Sequence, residues 1–160
     1  MTTLELGLEG HAPVGWSVSL EQARRGDTFL CVTRDSETGR PIVPEILISV
    51  VELPDVETSL EVLASSRRAV VADTYDEVRL RRGEFISDRD PEMYGQEISF
   101  ETKVPQGGRV AIIQSEILVT FPGFKSRVLS FLLTAPESVF EDCALDFRKL
   151  FDSILVKESE

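Results

Sequence analysis

The segment EISFETKVPQGGRVAIIQSEILVTF, Glu97 to Phe121, and the continuation PGFKSRVLSFLL, Pro122 to Leu133, decide the fold. From Glu97 to Val104 the side chains alternate. Ile98, Phe100, Thr102 and Val104 share one face, and Glu97, Ser99, Glu101 and Lys103 share the other, which is the period of a half-buried strand. Pro105-Gln106-Gly107-Gly108 is a hairpin signal that returns the chain into a strand over Arg109 to Phe121. Pro122 to Lys125 turns it again into Ser126 to Leu133, where Val128, Leu129, Phe131, Leu132 and Leu133 make both faces apolar. Strands joined by short turns pair antiparallel, and a strand apolar on both faces needs a cover on each side.

Working outward, Glu77 to Ile86 reads as the first strand of the same meander, with Gly83 marking a turn or bulge. Asp55 to Ala72 reads as a helix with the stripe Leu60, Leu63, Ala64, Val70 and Val71. Arg67 interrupts that stripe and is expected to extend its head to water. Glu45 to Leu53 is a second strand apolar on both faces, ended by Pro54. Asp27 to Thr33 is a strand with Phe29 and Cys31 on one face and Leu30 and Val32 on the other. Ser19 to Gly26 reads as one or two helical turns, and Leu4 to Glu9 as a weak strand. At the other end, Pro136 to Ser153 is a helix with the stripe Phe140, Cys143, Ala144, Phe147, Leu150, Phe151 and Ile154. Thr134 with Glu137, or Ser138 with Glu141, offers it a capping box. Lys157 to Glu160 reads as a polar tail. The expectation is one α+β domain over residues 1–160, a three-layer α/β/α sandwich with a mainly antiparallel sheet.

Seventeen basic against twenty-eight acidic residues give a net charge of −11, which argues against nucleic acid or an anionic membrane as partner. No run of eighteen apolar residues exists, so membrane insertion is not expected, and Met1 to Gly10 lacks the pattern of a signal peptide. These features fit a cytoplasmic protein in which Cys31 and Cys143 are small buried hydrophobes. His11 stands alone, without a nearby nucleophile. Asp88, Asp90 and Glu92 could hold a hard cation but read better as a solvated turn. No metal, no cofactor and no catalytic residue is expected. Arg67-Arg68 and Arg79, Arg81 and Arg82 are the basic clusters, with Val78 and Leu80 expected to face the core. Trp16 reads as an anchor closing one edge of the core.

Pro13-Val14-Gly15-Trp16 resembles the Pro-x-Gly-Trp opening of the PsbP-like superfamily. Ser130-Phe131-Leu132-Leu133-Thr134-Ala135-Pro136, followed by Phe140, Phe147 and Leu150 to Ser153, resembles that group's last strand and closing helix. The superfamily takes in photosystem PsbP proteins, a Ran-binding import factor, LpqN-type lipoproteins and Eag-type secretion chaperones. The resemblance implies the three-layer fold with a mostly antiparallel sheet. It also implies binding or accessory roles, and it carries no active-site residue onto this chain.

The expected function is therefore a non-enzymatic binding or accessory protein, a chaperone-like module that holds a segment of a protein or peptide partner, or a second copy of itself as a homodimer, on its sheet. The alternative is a small-molecule or lipid-binding module with a pocket between sheet and helix. In the strand Arg109 to Phe121 one face turns polar midway, through Ile112, Gln114, Glu116 and Leu118. The outer face of Glu97 to Val104 is polar as well. These two surfaces are expected to form a partly open side of the sheet, with Ile112, Gln114, Glu116 and Leu118 as partner-binding residues.

Overall fold

The computed structural model describes residues 3–7, 12–19, 28–37, 39–55, 57–89, 91–121 and 124–159. Nine strands are assigned among them: β1 (Thr3–Gly7), β2 (Trp16–Val18), β3 (Thr28–Arg34), β4 (Glu45–Glu52), β5 (Asp76–Ser87), β6 (Met93–Lys103), β7 (Arg109–Phe121), β8 (Phe124–Pro136) and β9 (Leu155–Ser159). Two α-helices, α1 (Leu60–Thr74) and α2 (Phe140–Ser153), are assigned among the described residues as well. Seven strands form one sheet in the order β2-β3-β4-β8-β7-β6-β5, every neighbouring pair antiparallel. After β4 the chain crosses through α1 to the far edge, and the meander β5 to β8 brings it back beside β4.

The meander follows from its turns. Gly107 and Gly108 both sit at φ +87°, where a side chain would be strained. The Gly107 amide donates to the Val104 carbonyl at 3.0 Å. That loop sets Ile98 opposite Gln114 and Gln96 opposite Glu116.

The two helices cover opposite faces. On one side α2 buries Phe140, Cys143, Phe147 and Leu150 against Ile46, Ile48, Leu129, Phe131 and Leu133. Trp16 closes the edge of this core, and its indole Nε1 donates to Asp146 Oδ2 at 2.9 Å. On the other side α1 packs Leu60, Leu63 and Ala64 on Tyr94, Leu118 and Val128. The result is the α/β/α sandwich with an antiparallel sheet. Cys31 and Cys143 are both buried, but β3 turns Cys31 to the α1 side, so the sheet itself separates the two thiols.

Several boundaries differ from the sequence expectation. α1 starts at Leu60 rather than Asp55, because the Ser59 hydroxyl caps it by accepting from the Val62 amide at 3.2 Å. Asp55 instead holds a turn through the Glu57 amide at 3.0 Å. Val70, counted in the apolar stripe, is 66% exposed. Neither capping box forms at α2. β8 runs on to Pro136 and keeps Thr134 in the ladder, and the helix enters through a 3₁₀ turn at Glu137–Val139 without a side-chain cap. A register shift between Thr28 and Leu30 releases Phe29 from the face of Cys31 and leaves it exposed. The C-terminal residues read as a polar tail form β9, antiparallel to β1 with Leu155 opposite Gly7 and Ser159 opposite Thr3. The helical turns expected over Ser19 to Gly26 fall on residues 20–26, outside the described residues, apart from Ser19.

Candidate functional site

α1 meets the sheet through two apolar contacts separated by a polar seam. Its first turns pack on Tyr94, Leu118 and Val128, and Val71 in its last turns packs on the Ile98, Phe100 and Ile112 cluster. Between them the helix turns Arg67 and Arg68 toward Gln96 of β6, Gln114 and Glu116 of β7, and Ser130 and Thr134 of β8. β6, β7 and β8 are in register there, with Gln96 opposite Glu116 and Gln114 opposite Thr134, so alternation brings these polar residues to one face.

The hydrogen bonding of the seam is dense. Arg67 Nε donates to Glu116 Oε1 at 2.8 Å and to Oε2 at 2.9 Å, and Arg67 Nη2 donates to Oε2 at 2.6 Å. The Ser130 hydroxyl donates to the same Oε2 at 2.6 Å. Gln96 Nε2 donates to the Ala64 carbonyl at 3.0 Å, and its Oε1 accepts from Arg68 Nη1 at 3.3 Å. Gln114 Nε2 donates to the Thr134 hydroxyl at 3.1 Å. Burial works against the Arg67 charge, but the hydrogen bonds and charge of Glu116 outweigh it and hold the guanidinium above its ordinary value. The expectation that Arg67 extends to water is thus reversed: a buried carboxylate draws its head inward. Beside this pair a pocket of about 210 Å³ opens between α1 and the sheet, walled by Val70, Val71, Ile98 and Leu132 and by the polar groups Arg67, Arg68, Gln96, Gln114 and Glu116.

The four residues singled out in β7 divide between these environments. Ile112 and Leu118 lie in the two apolar clusters under α1, and Glu116 is bound by Arg67 and Ser130. Gln114 is half-buried, and with Glu116 it borders the pocket. The polarity read midway along the strand is therefore the floor of a pocket. The grouping of Glu97 with this surface does not hold. The register sets Glu97 opposite Ser115, on the α2 side of the sheet.

On that α2 side the helix leaves the β5 and β6 edge open. A groove of about 390 Å³ is lined by Arg82, Glu84, Phe85 and Ile86 of β5, Gly95, Gln96 and Glu97 of β6, Ser115 and Ile117 of β7, and Arg148 of α2. The expected alternation of the β5 arginines is broken by a shift between Leu80 and Arg82, and Leu80 is 49% exposed instead of facing the core. Arg82 pairs with Glu84 at 3.1 Å and Arg79 with Glu77 at 3.4 Å, while the Arg81 guanidinium lies 5.9 Å from the centre of the Phe140 ring.

Of the other candidates, His11 and Asp90 lie outside the described residues, and Asp88 and Glu92 are exposed. Burial pushes the Cys143 thiol up, against the nearby Arg34 guanidinium, whose Nη1 is 3.5 Å from the sulfur. The one close pairing of a hydroxyl with a carboxylate in the seam, Ser130 with Glu116, is closed to solvent, with Ser130 1% exposed. Its carboxylate is already committed to Arg67, so the pair offers a reagent no accessible nucleophile.

No family model matches the sequence, and no curated protein matches it either. Solved structures match in fold. LpqN of Mycobacterium tuberculosis, involved in cell envelope biogenesis, superposes with a TM-score of 0.64 over 98% of this chain and 84% of its own, at 10% identity. Cyanobacterial PsbP from Synechocystis sp. PCC 6803 gives 0.59 over 98% of this chain and 94% of its own, at 15% identity. The Ran-binding protein Mog1p of Saccharomyces cerevisiae gives 0.57 over 91% of this chain and 84% of its own, at 9% identity. The chain has the PsbP-like fold that its opening Pro-Val-Gly-Trp and its closing strand and helix resemble.

Proposed function

We propose that this protein is a non-enzymatic binding protein that holds an extended segment of a protein partner along β5, in the groove on the α2 side of the sheet. The observation that carries this reading is the state of that edge. β5 is twelve residues long, stands last in the sheet, and lines the groove with Phe85 and Ile86, 43% and 53% exposed. An outermost strand presents backbone donors and acceptors to an added strand, and flanking pockets then read alternate side chains. The groove carries charge of both signs, from Arg82 and Arg148 and from Glu84 and Glu97, which suits a partner segment of mixed charge. A binding role is also in keeping with the shared fold of Mog1p, a Ran-binding protein.

The test is site-specific photocrosslinking in the native host. A photoreactive residue at Ile86 or Glu97 is expected to capture one and the same protein. The same residue at Leu145, exposed on the outer side of α2, is expected not to capture it. An adduct of twice the chain's own mass from both groove positions would replace the foreign partner with a second copy. Equal capture from Leu145, or none from the groove, would overturn the reading.

A further inference from the structure

We infer that the pocket between α1 and the sheet binds a small aliphatic carboxylate, with Arg68 as its charge partner. The pocket lies on the opposite face of the sheet from the β5 groove, so this inference and the docking of a protein segment stand or fall separately.

Charge assigns the ligand's sign. Arg67 has given Nε and Nη2 to Glu116, and the two charges cancel. Arg68 has no carboxylate within ion-pair distance among the described residues, and its recorded bond is the long one to Gln96 at 3.3 Å. A guanidinium carries five donors in a fork that matches a carboxylate. One positive charge is left over at the wall of a half-enclosed pocket, in a chain whose net charge is −11. One uncompensated cation in the wall matches a singly charged head and leaves the second charge of a dianion such as phosphate unpaired.

Shape and lining assign the rest. Val71, Ile98 and Leu132 form an apolar wall behind Arg68. At about 210 Å³ the pocket is smaller than the roughly 300–1,000 Å³ that drug-sized ligands occupy. A long acyl chain or a nucleotide does not fit, and a short aliphatic tail does. Gln96 and Gln114 line the pocket beside Arg68, and each Nε2 carries one N–H beyond the bond it already makes, to Ala64 and Thr134.

The experiment is a titration of ¹⁵N-labelled protein with hexanoate, hexanol and hexylamine, read on the side-chain amide signals of Gln96 and Gln114. Hexanoate is expected to shift both signals saturably, with a dissociation constant in roughly the millimolar to high-micromolar range for a ligand of this size. Arg68→Gln is expected to weaken it by about tenfold or more, the loss of a charge-assisted pair. Val70→Trp, a change on the exposed rim that leaves the core alone, is expected to weaken it as well, and Arg148→Gln on the other face to leave it unchanged. The inference is overturned if neither amide shifts, if hexylamine binds as tightly as hexanoate, or if hexanoate binding survives both Arg68→Gln and Val70→Trp.

Discussion

Arg67 of α1 and Glu116 of β7, forty-nine positions apart, close on each other through three contacts of 2.6 to 2.9 Å at the centre of the helix–sheet interface. The Glu116 side chain is 5% exposed, so the pair is the electrostatic centre of that face. A buried carboxylate that loses its partner keeps its desolvation cost and loses its compensation. Arg67→Met is therefore expected to destabilise the fold by about 3–5 kcal/mol in urea denaturation. Arg67→Met combined with Glu116→Leu is expected to recover most of that loss, because two apolar groups of similar volume leave no orphan charge. A double variant as unstable as the single one would show that the loss does not come from an orphaned Glu116 charge.

The indole of Trp16 ties β2 to α2 across 130 positions of sequence through Asp146. Asp146→Ala leaves the buried N–H without its acceptor and is expected to cost about 1–3 kcal/mol. Asp146→Asn, which keeps an acceptor oxygen, is expected to cost clearly less. Equal midpoints for the two variants would dismiss the hydrogen bond as a stabilising contact.

Phe147 lies at the middle of the α2 stripe, 5% exposed, inside the larger core. Phe147→Ala is expected to cost about 3–5 kcal/mol, the range for a buried aromatic truncated to a cavity. Leu145→Ala, on the exposed side of the same helix, is expected to change stability by no more than about 0.5 kcal/mol. The pair of midpoints checks which side of α2 faces the sheet.

Cys143 supplies a pH dependence. Its thiol is pushed up, first by burial, so the folded protein holds the proton to higher pH than the unfolded chain does. Between the two values the unfolded state binds fewer protons, and stability falls as pH rises. The contribution is fully present below the ordinary thiol value of 9.0 and is lost as pH rises through the folded value. Denaturation midpoints followed upward from neutral pH are expected to fall more steeply in the wild type than in Cys143→Ala. Parallel curves would refute the linkage.

Much of the architecture was legible in the residues. Period-two alternation placed β6 and β7, the Gly107-Gly108 turn joined them, and the stripe from Phe140 to Leu150 placed α2 and its buried side. These are local signals, since each is set by the geometry of one element and the few residues that end it. The candidate site was legible only as an anomaly, the polar residues Gln114 and Glu116 in the middle of an apolar face. That anomaly marked the right place in the strand but not what covers it.

Tertiary structure decided the rest. Alternation says which residues of one strand share a face, but not which face of the next strand lies beside it. Pairing register made that choice, and it put Glu97 with Ser115 and away from Glu116. The same limit applies to Arg67. A long cationic side chain in an apolar stripe turns to water unless an anion waits beneath it, and Glu116 arrives there only when β7 is laid under α1. β9 gave no sign of itself, because backbone pairing with β1 holds it and backbone hydrogen bonding leaves no mark on side-chain pattern. The sequence by itself determined the elements and the apolar side of most of them. Which polar groups meet, and so where a pocket can form, depended on contacts between residues far apart in the chain, and those exist only in the folded sheet.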